Sequence, residues 1–174
     1  ELEDEIDLSR GEMLVAAGSA GDALPNVANR FRAMVVWMHE DPLVAGRTYL
    51  AKHTTRTVRA TVRAIRYRVD VNDMEERGAD AIAMNEIAEV EFETNLPLFF
   101  DAYSESRGMG ALILIDPLTN ATVGAAMIEP TDATMATITG RASRPSLVLL
   151  SAAEGATGRV RDSLVARGER AVVI

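Results

Sequence analysis

From Thr57 to Asp70 the chain alternates apolar with charged or polar side chains, and the alternation changes phase once on the way. Val58, Ala60, Val62 and Ala64 fall on one side, with Arg59, Thr61 and Arg63 between them. Ile65, Tyr67 and Val69 then take over as the apolar set, separated by Arg66 and Arg68. A period of two is the signature of a strand that buries one face, and it cannot be laid on one face of a helix. A one-residue slip moves every later side chain to the opposite face. One inserted residue therefore explains the reversal, and it predicts a β-bulge near Ala64–Ile65.

The same period recurs along the middle of the chain. Phe31, Ala33, Val35 and Trp37 alternate with Arg32, Met34, Val36 and Met38, both sets being apolar enough for a strand covered on both sides. Asp41-Pro42 and Ala45-Gly46 punctuate the next stretch, and Arg47–Lys52 reads as a further strand. Asp73–Gly78 is a charged loop, and Ala79–Asn85 is either one helical turn or an irregular link. Ala88, Val90 and Phe92 alternate with Glu89, Glu91 and Glu93, and Pro97–Phe100 is a short apolar piece. Ala111–Ile115 and Ala121–Ile128 read as strands joined by a hairpin loop, Asp116-Pro117-Leu118-Thr119-Asn120, with proline at a turn position. Six or so strands with short turns and almost no helical period make residues 27–129 an antiparallel β-barrel or sandwich.

The flanks differ. Residues 1–15 read as a strand, a turn at Gly11 and a second short strand, and 16–29 as a linker or a long crossing loop. Thr131–Ser143 is a second linker. An apolar strand at Ser146–Leu150, a Gly-containing turn, a helix at Arg159–Arg167 and a strand at Ala171–Ile174 then form a short βαβ opening of a parallel sheet.

Charge and composition narrow the function. Of 174 residues, 18 are Lys or Arg and 26 are Asp or Glu, a formal charge of −8. Residues 1–26 carry −6, residues 27–129 carry −4, and residues 130–174 carry +2. An acidic middle argues against nucleic-acid binding through the whole surface. The absence of cysteine excludes a disulfide scaffold, a thiolate zinc or iron–sulfur site and a thiol nucleophile. Apolar runs fall far short of the roughly 18 residues of a spanning helix, so no membrane role is expected. With no signal-peptide pattern and no initial methionine, a cytoplasmic chain cut from a longer one is expected.

Few groups invite chemistry. His39 and His53 lack metal-ligand spacing and read as ordinary surface or strand-end histidines, and no metal or catalytic residue is expected. Ser104 and Ser106 lack a G-x-S-x-G elbow and a placed base, so they read as a polar loop. Arg56, Arg59, Arg63, Arg66 and Arg68 form either a basic stripe for a phosphate-bearing or acidic partner, or a solvated strand face neutralised by Glu89, Glu91 and Glu93. Arg59, Arg63, Arg66 and Arg68 are the candidate partner contacts. The turn 151–158 sits where a phosphate-binding loop would sit. A working loop, G-x-x-x-x-G-K-[ST], is reduced here to Ala153, Gly158, Arg159 and Val160. Only Gly158 survives, so no competent nucleotide site is expected, and the rival is a tail that still binds adenine nucleotide.

Several motifs in order are specific to one family. They are Ile6-Asp7-Leu8-Ser9-Arg10-Gly11-Glu12, Val36-Trp37-Met38-His39-Glu40-Asp41-Pro42-Leu43, Gly46-Arg47 with Tyr49-Leu50, and Ile65–Asn72. Met84-Asn85-Glu86-Ile87, Pro97–Asp101 and Ile115–Gly124 complete the set. Over roughly residues 2–128 the chain resembles the GTP-binding large subunit of bacterial sulfate adenylyltransferase, which is itself similar to elongation factor Tu. The resemblance implies that 1–26 ends a preceding β-barrel and its linker. Residues 27–129 are then a six-stranded antiparallel Greek-key barrel like the third domain of elongation factor Tu. It also implies that 130–174 is a linker and the truncated, degenerate start of an adenylylsulfate kinase-like domain. The parent assembly would use GTP, ATP and magnesium, none of them bound by this fragment. Its partners would be the catalytic subunit and the GTPase domain that precedes it. The contact element would be either the Arg56–Arg68 strand or the Asp101–Met109 loop. The rival is a barrel of a translation-factor GTPase, binding RNA or an exchange factor.

Overall fold

A computed structural model describes residues 10–17, 25–130, 147–151 and 171–173. The chain divides into two compact units, Pro25–Ala142 and a second made of Glu1–Leu24 with Ser143–Ile174. In the second unit, β1 (Met13–Ala17) pairs in parallel with the strand Leu147–Ser151, which pairs in parallel with Ala171–Val173. The two tail strands fall on the apolar runs of the sequence at 146–150 and 171–174. The helix expected at 159–167 lies outside the described residues.

The larger unit is a closed barrel. Its six walls are β2 (Asn26–Trp37), β4 (Thr48–His53), β5 (Arg56–Val69), β8 (Ile87–Phe100), β9 (Ala111–Ile115) and β10 (Thr122–Ile128). Three minor pieces complete it: β3 (Leu43–Val44), β6 (Glu76–Arg77) and β7 (Ala81–Ile82). Around the ring the order is β4-β9-β10-β2-β8-β5, closed by the hairpin β4–β5, and every pairing is antiparallel. The β4–β5–β8 meander with β2 returning beside β8 is a Greek key. Closure leaves no wall strand with a free edge, which removes the template for unwanted strand addition.

Alternation decides what lies inside. Phe31, Ala33, Val35 and Trp37 of β2, Val58, Ala60 and Val62 of β5, and Ala88, Val90 and Phe92 of β8 all point inward and are buried. The opposite face of β2 is only half-buried at Arg32, Met34 and Val36, so this strand is not covered on both sides as its apolar pattern suggested. Phe31 packs on Phe92 and Phe100 at centroid distances of 5.8 and 5.6 Å, in tilted geometry that suits the ring quadrupoles.

The bulge expected near Ala64–Ile65 is present, and it is double. Register between β5 and β8 shifts between Val62 and Ala64 and again between Ile65 and Tyr67. A third irregularity places Pro97 where it costs no ladder bond: β2 and β8 change register between Ala28 and Arg30, opposite the stretch Thr94–Pro97. The Thr94 hydroxyl donates there to the Leu96 and Asn29 carbonyls, at 2.7 and 3.2 Å. Ala79–Asn85 is neither a helical turn nor irregular throughout. Ala81 and Ile82 form β7 against β3 and drive Ile82 and Leu43 completely out of solvent. Two residues are too few to display a period, so the sequence hid this ribbon.

Candidate functional site

The arginines of β5 are divided by the bulges rather than gathered on one stripe. Arg59 and Arg66 are exposed. Arg63 is spoken for, since its Nε donates to Glu93 at 2.8 Å, and that hydrogen bond holds the Glu93 carboxyl below its usual range. Arg68 registers opposite the buried Ala88 at the barrel end and pairs with Glu86. Arg56 faces His53 across the hairpin, half-buried, and desolvation pulls its guanidinium down from the ordinary arginine value.

The acidic strand β8 is neutralised from both neighbours. Besides Arg63, Arg30 reaches Glu93 at 3.2 Å and Glu91 at 4.0 Å, and Arg32 reaches Glu89 at 3.6 Å. This is the cross-strand pairing that opposite-signed alternating strands predict, each pair contributing little because most are wet. Beside the ladder lies a shallow depression of about 610 Å³ bordered by Thr48, Arg59, Thr61, Arg63 and Asn95. A second, of about 520 Å³, is mostly apolar and runs along β2, β10 and β9 past Val36, Ile113, Ala125 and Met127.

One end of the barrel is closed by Trp37 edge-on to Tyr49 at 5.4 Å, with the Arg47 guanidinium over the Tyr49 ring at 5.6 Å. The Trp37 indole donates to the Asp41 carbonyl at 2.8 Å. Burial raises the Tyr49 phenol above its ordinary value. The Asp116 carboxyl caps the β9–β10 turn by accepting from the Leu118 and Thr119 amides at 2.8 and 2.9 Å, which lowers its pKa. These motif residues therefore build the end of the barrel.

At the other end His53 is fully buried and its Nε2–H donates to the Met109 carbonyl at 2.8 Å. Sequence suggested an ordinary surface or strand-end histidine; it does end β4, beneath the 101–110 loop. Ser104 and Ser106 belong to that loop, whose Ser106 carbonyl accepts from the Gly110 amide at 2.7 Å. Burial lowers the His53 pKa, opposed by Met109 and Asp101. The unfolded chain then takes up a proton near pH 6.5 that the fold refuses, so His53 adds stability above that pH and loses it as pH falls through 6.5 and below. Thermal melts should show stability dropping between pH 7 and 5, and His53→Gln should flatten that drop. Asp101, whose pKa is raised by burial and by Glu105, acts in the opposite sense nearer the carboxylate range. Ala153, Gly158, Arg159 and Val160 lie outside the described residues. Among the described residues no three His, Asp or Glu side chains gather as a metal site.

The fold is thus a closed six-stranded Greek-key barrel whose polar side chains mostly serve pairing and turn-capping. Residues 30–129 match the model of the GTP-eEF1A C-terminal domain-like family, and the chain belongs to that family. It is 48% identical over 128 residues to sulfate adenylyltransferase subunit 1 of Laribacter hongkongensis, covering 74% of this chain and 26% of that protein. It is 46% identical over 127 residues to the bifunctional enzyme CysN/CysC of Rhodopirellula baltica, covering 73% and 19%. The kinship read from the motifs is thus shown. The chain spans about a quarter or less of the length of these curated relatives. Among solved structures, Sup35 complexed with GDP is similar with a TM-score of 0.57 at 16% identity, over 66% of this chain and 28% of that one, a likeness of fold. Among the described residues no helix is long and apolar enough to cross a membrane.

Proposed function

We propose that this chain is the C-terminal barrel region of the GTPase subunit of a sulfate adenylyltransferase. In that assembly a separate catalytic subunit joins sulfate to ATP, giving adenylylsulfate and pyrophosphate. The barrel does no chemistry of its own; it supports the GTPase domain and forms part of the contact with the catalytic subunit. GTP, ATP and magnesium act elsewhere in the assembly. The observation that carries the reading is 48% identity over 128 residues, 74% of this chain, to a relative named for this activity. In keeping with it, the described ionisable side chains mostly pair with one another across strands and within turns. Residues 1–26 are read as the end of the preceding barrel, and 130–174 as a kinase-like start whose degenerate loop should give no heat with ATP and magnesium in a calorimetric titration.

The test is co-purification of the chain with the catalytic subunit from the same source. Stoichiometric co-elution is expected. Independent elution at micromolar concentrations would remove the contact role and leave only internal support of the GTPase domain.

A further inference from the structure

The large apolar side chains exposed by the barrel are not scattered. Met38, Val71, Met74, Met84 and Leu118 are those standing in solvent, from 46% exposed at Met84 to 88% at Leu118. All five lie on the connections 38–47, 70–86 and 116–121, which emerge from the same end of the barrel. That end joins the finish of β2, β5 and β9 to the start of β4, β8 and β10. The chain enters and leaves the barrel at the opposite end. Because β9, β10, β2, β8 and β5 are successive around the ring, Leu118, Met38, Met84 and then Val71 with Met74 follow one arc of the rim.

The rim is also the acidic part of the barrel. The three connections hold nine acids and two arginines, net −7, whereas residues 54–55 and 101–110 at the other end hold two acids and one arginine, net −1. The apolar tips are held in place rather than loosely displayed. Arg77 is gripped by Asp70 at 2.9 Å, Glu75 at 3.6 Å and Asp73, and Asp70 accepts from the Asn72 amide at 3.0 Å. Met74 is kept at φ 61°, a left-handed conformation costly for a non-glycine residue, with its side chain 74% exposed. Leu118 rides the turn capped by Asp116.

We infer that this acidic, methionine-bearing rim is the docking surface for the partner protein, and that it fits a basic surface with apolar hollows between its Lys and Arg side chains. Methionine tips adapt to such hollows, and pre-ordered loops lose less freedom on docking. A net −7 rim repels nucleic acid, anionic lipid and a second copy of itself. The inference rests on the function proposed for the chain, which supplies the partner: the catalytic subunit. It places the contact on the rim and not on the arginines of β5.

The experiment titrates the full chain with the purified catalytic subunit. It compares wild type, Met74→Glu/Leu118→Glu, and Arg59→Glu/Arg66→Glu, each checked by circular dichroism melting. All four substituted residues are exposed, so the melts should agree. The rim variant should lose affinity about tenfold or more, the arginine variant should stay within about twofold, and wild-type binding should weaken with added salt. Undiminished binding by the rim variant overturns the inference and leaves the proposed function standing. Absence of wild-type binding overturns the contact role and the inference with it. Sedimentation showing a wild-type dimer that the rim variant breaks would assign the surface to a second copy, and would equally overturn it.

Discussion

Phe92→Ala should cost the barrel about 3 to 5 kcal/mol, enough to lower its melting temperature by roughly 10 °C or more. Phe92 has no exposure and sits on β8, the strand shared by both halves of the ladder. It is in register with Phe31 on β2 and with Val62 on β5, and the Phe31 ring links it to Phe100. Truncation removes the aromatic surface and leaves a void that three strands, each tied to two neighbours, cannot close over. Phe92→Leu keeps most of the volume and should lose clearly less. Equal losses for the two would mean that the cavity does not decide the cost.

Gly110→Ala should be nearly as damaging, for a different reason. A Cβ placed there would lie 2.8 Å from the Ala102 carbonyl carbon and closer still to the Tyr103 amide nitrogen and Cα. These are backbone atoms and cannot step aside. The Gly110 amide donates to Ser106 and its carbonyl accepts from Ile128, both at 2.7 Å, while the Tyr103 amide donates to Ile128 at 2.8 Å. Yielding to the methyl would therefore pull the 101–110 loop away from β10 and off His53. A loss of about 3 kcal/mol is expected. A weaker pH dependence between 7 and 5, as His53 gains water, should accompany it. Gly108→Ala, with nothing within 4 Å of its Cβ, is the control and should be neutral within about 0.5 kcal/mol. Limited proteolysis in the loop reads the same event directly.

Strand positions were legible because the barrel buries one face of each wall, which writes a period of two into β2, β5 and β8. The first bulge was legible because it reverses that period. The second was not, since Ile65, Arg66, Tyr67, Arg68 and Val69 alternate without a break. After the shift Tyr67 and Val69 register with Glu89 and Ile87, so their half-burial lies off the inward row. Pairing of the β8 glutamates was readable from opposite charges in alternating strands, although Arg30 and Arg32 of β2 share the task with Arg63. Closure of β4 on β9, Leu50 opposite Ile115, joins segments 65 residues apart and leaves no local mark. The buried His53 was invisible for the same reason, because its cover comes from a loop 56 residues away. The rim needed strand order before its five apolar tips became neighbours.

The docking role proposed for this barrel, on the catalytic subunit of a sulfate adenylyltransferase, can be separated from RNA binding by titrating the purified chain in parallel with that subunit and with a structured RNA at physiological salt. Saturable binding to the subunit and none to the RNA is predicted. Saturable RNA binding with no response to the subunit would contradict that role and favour the translation-factor alternative.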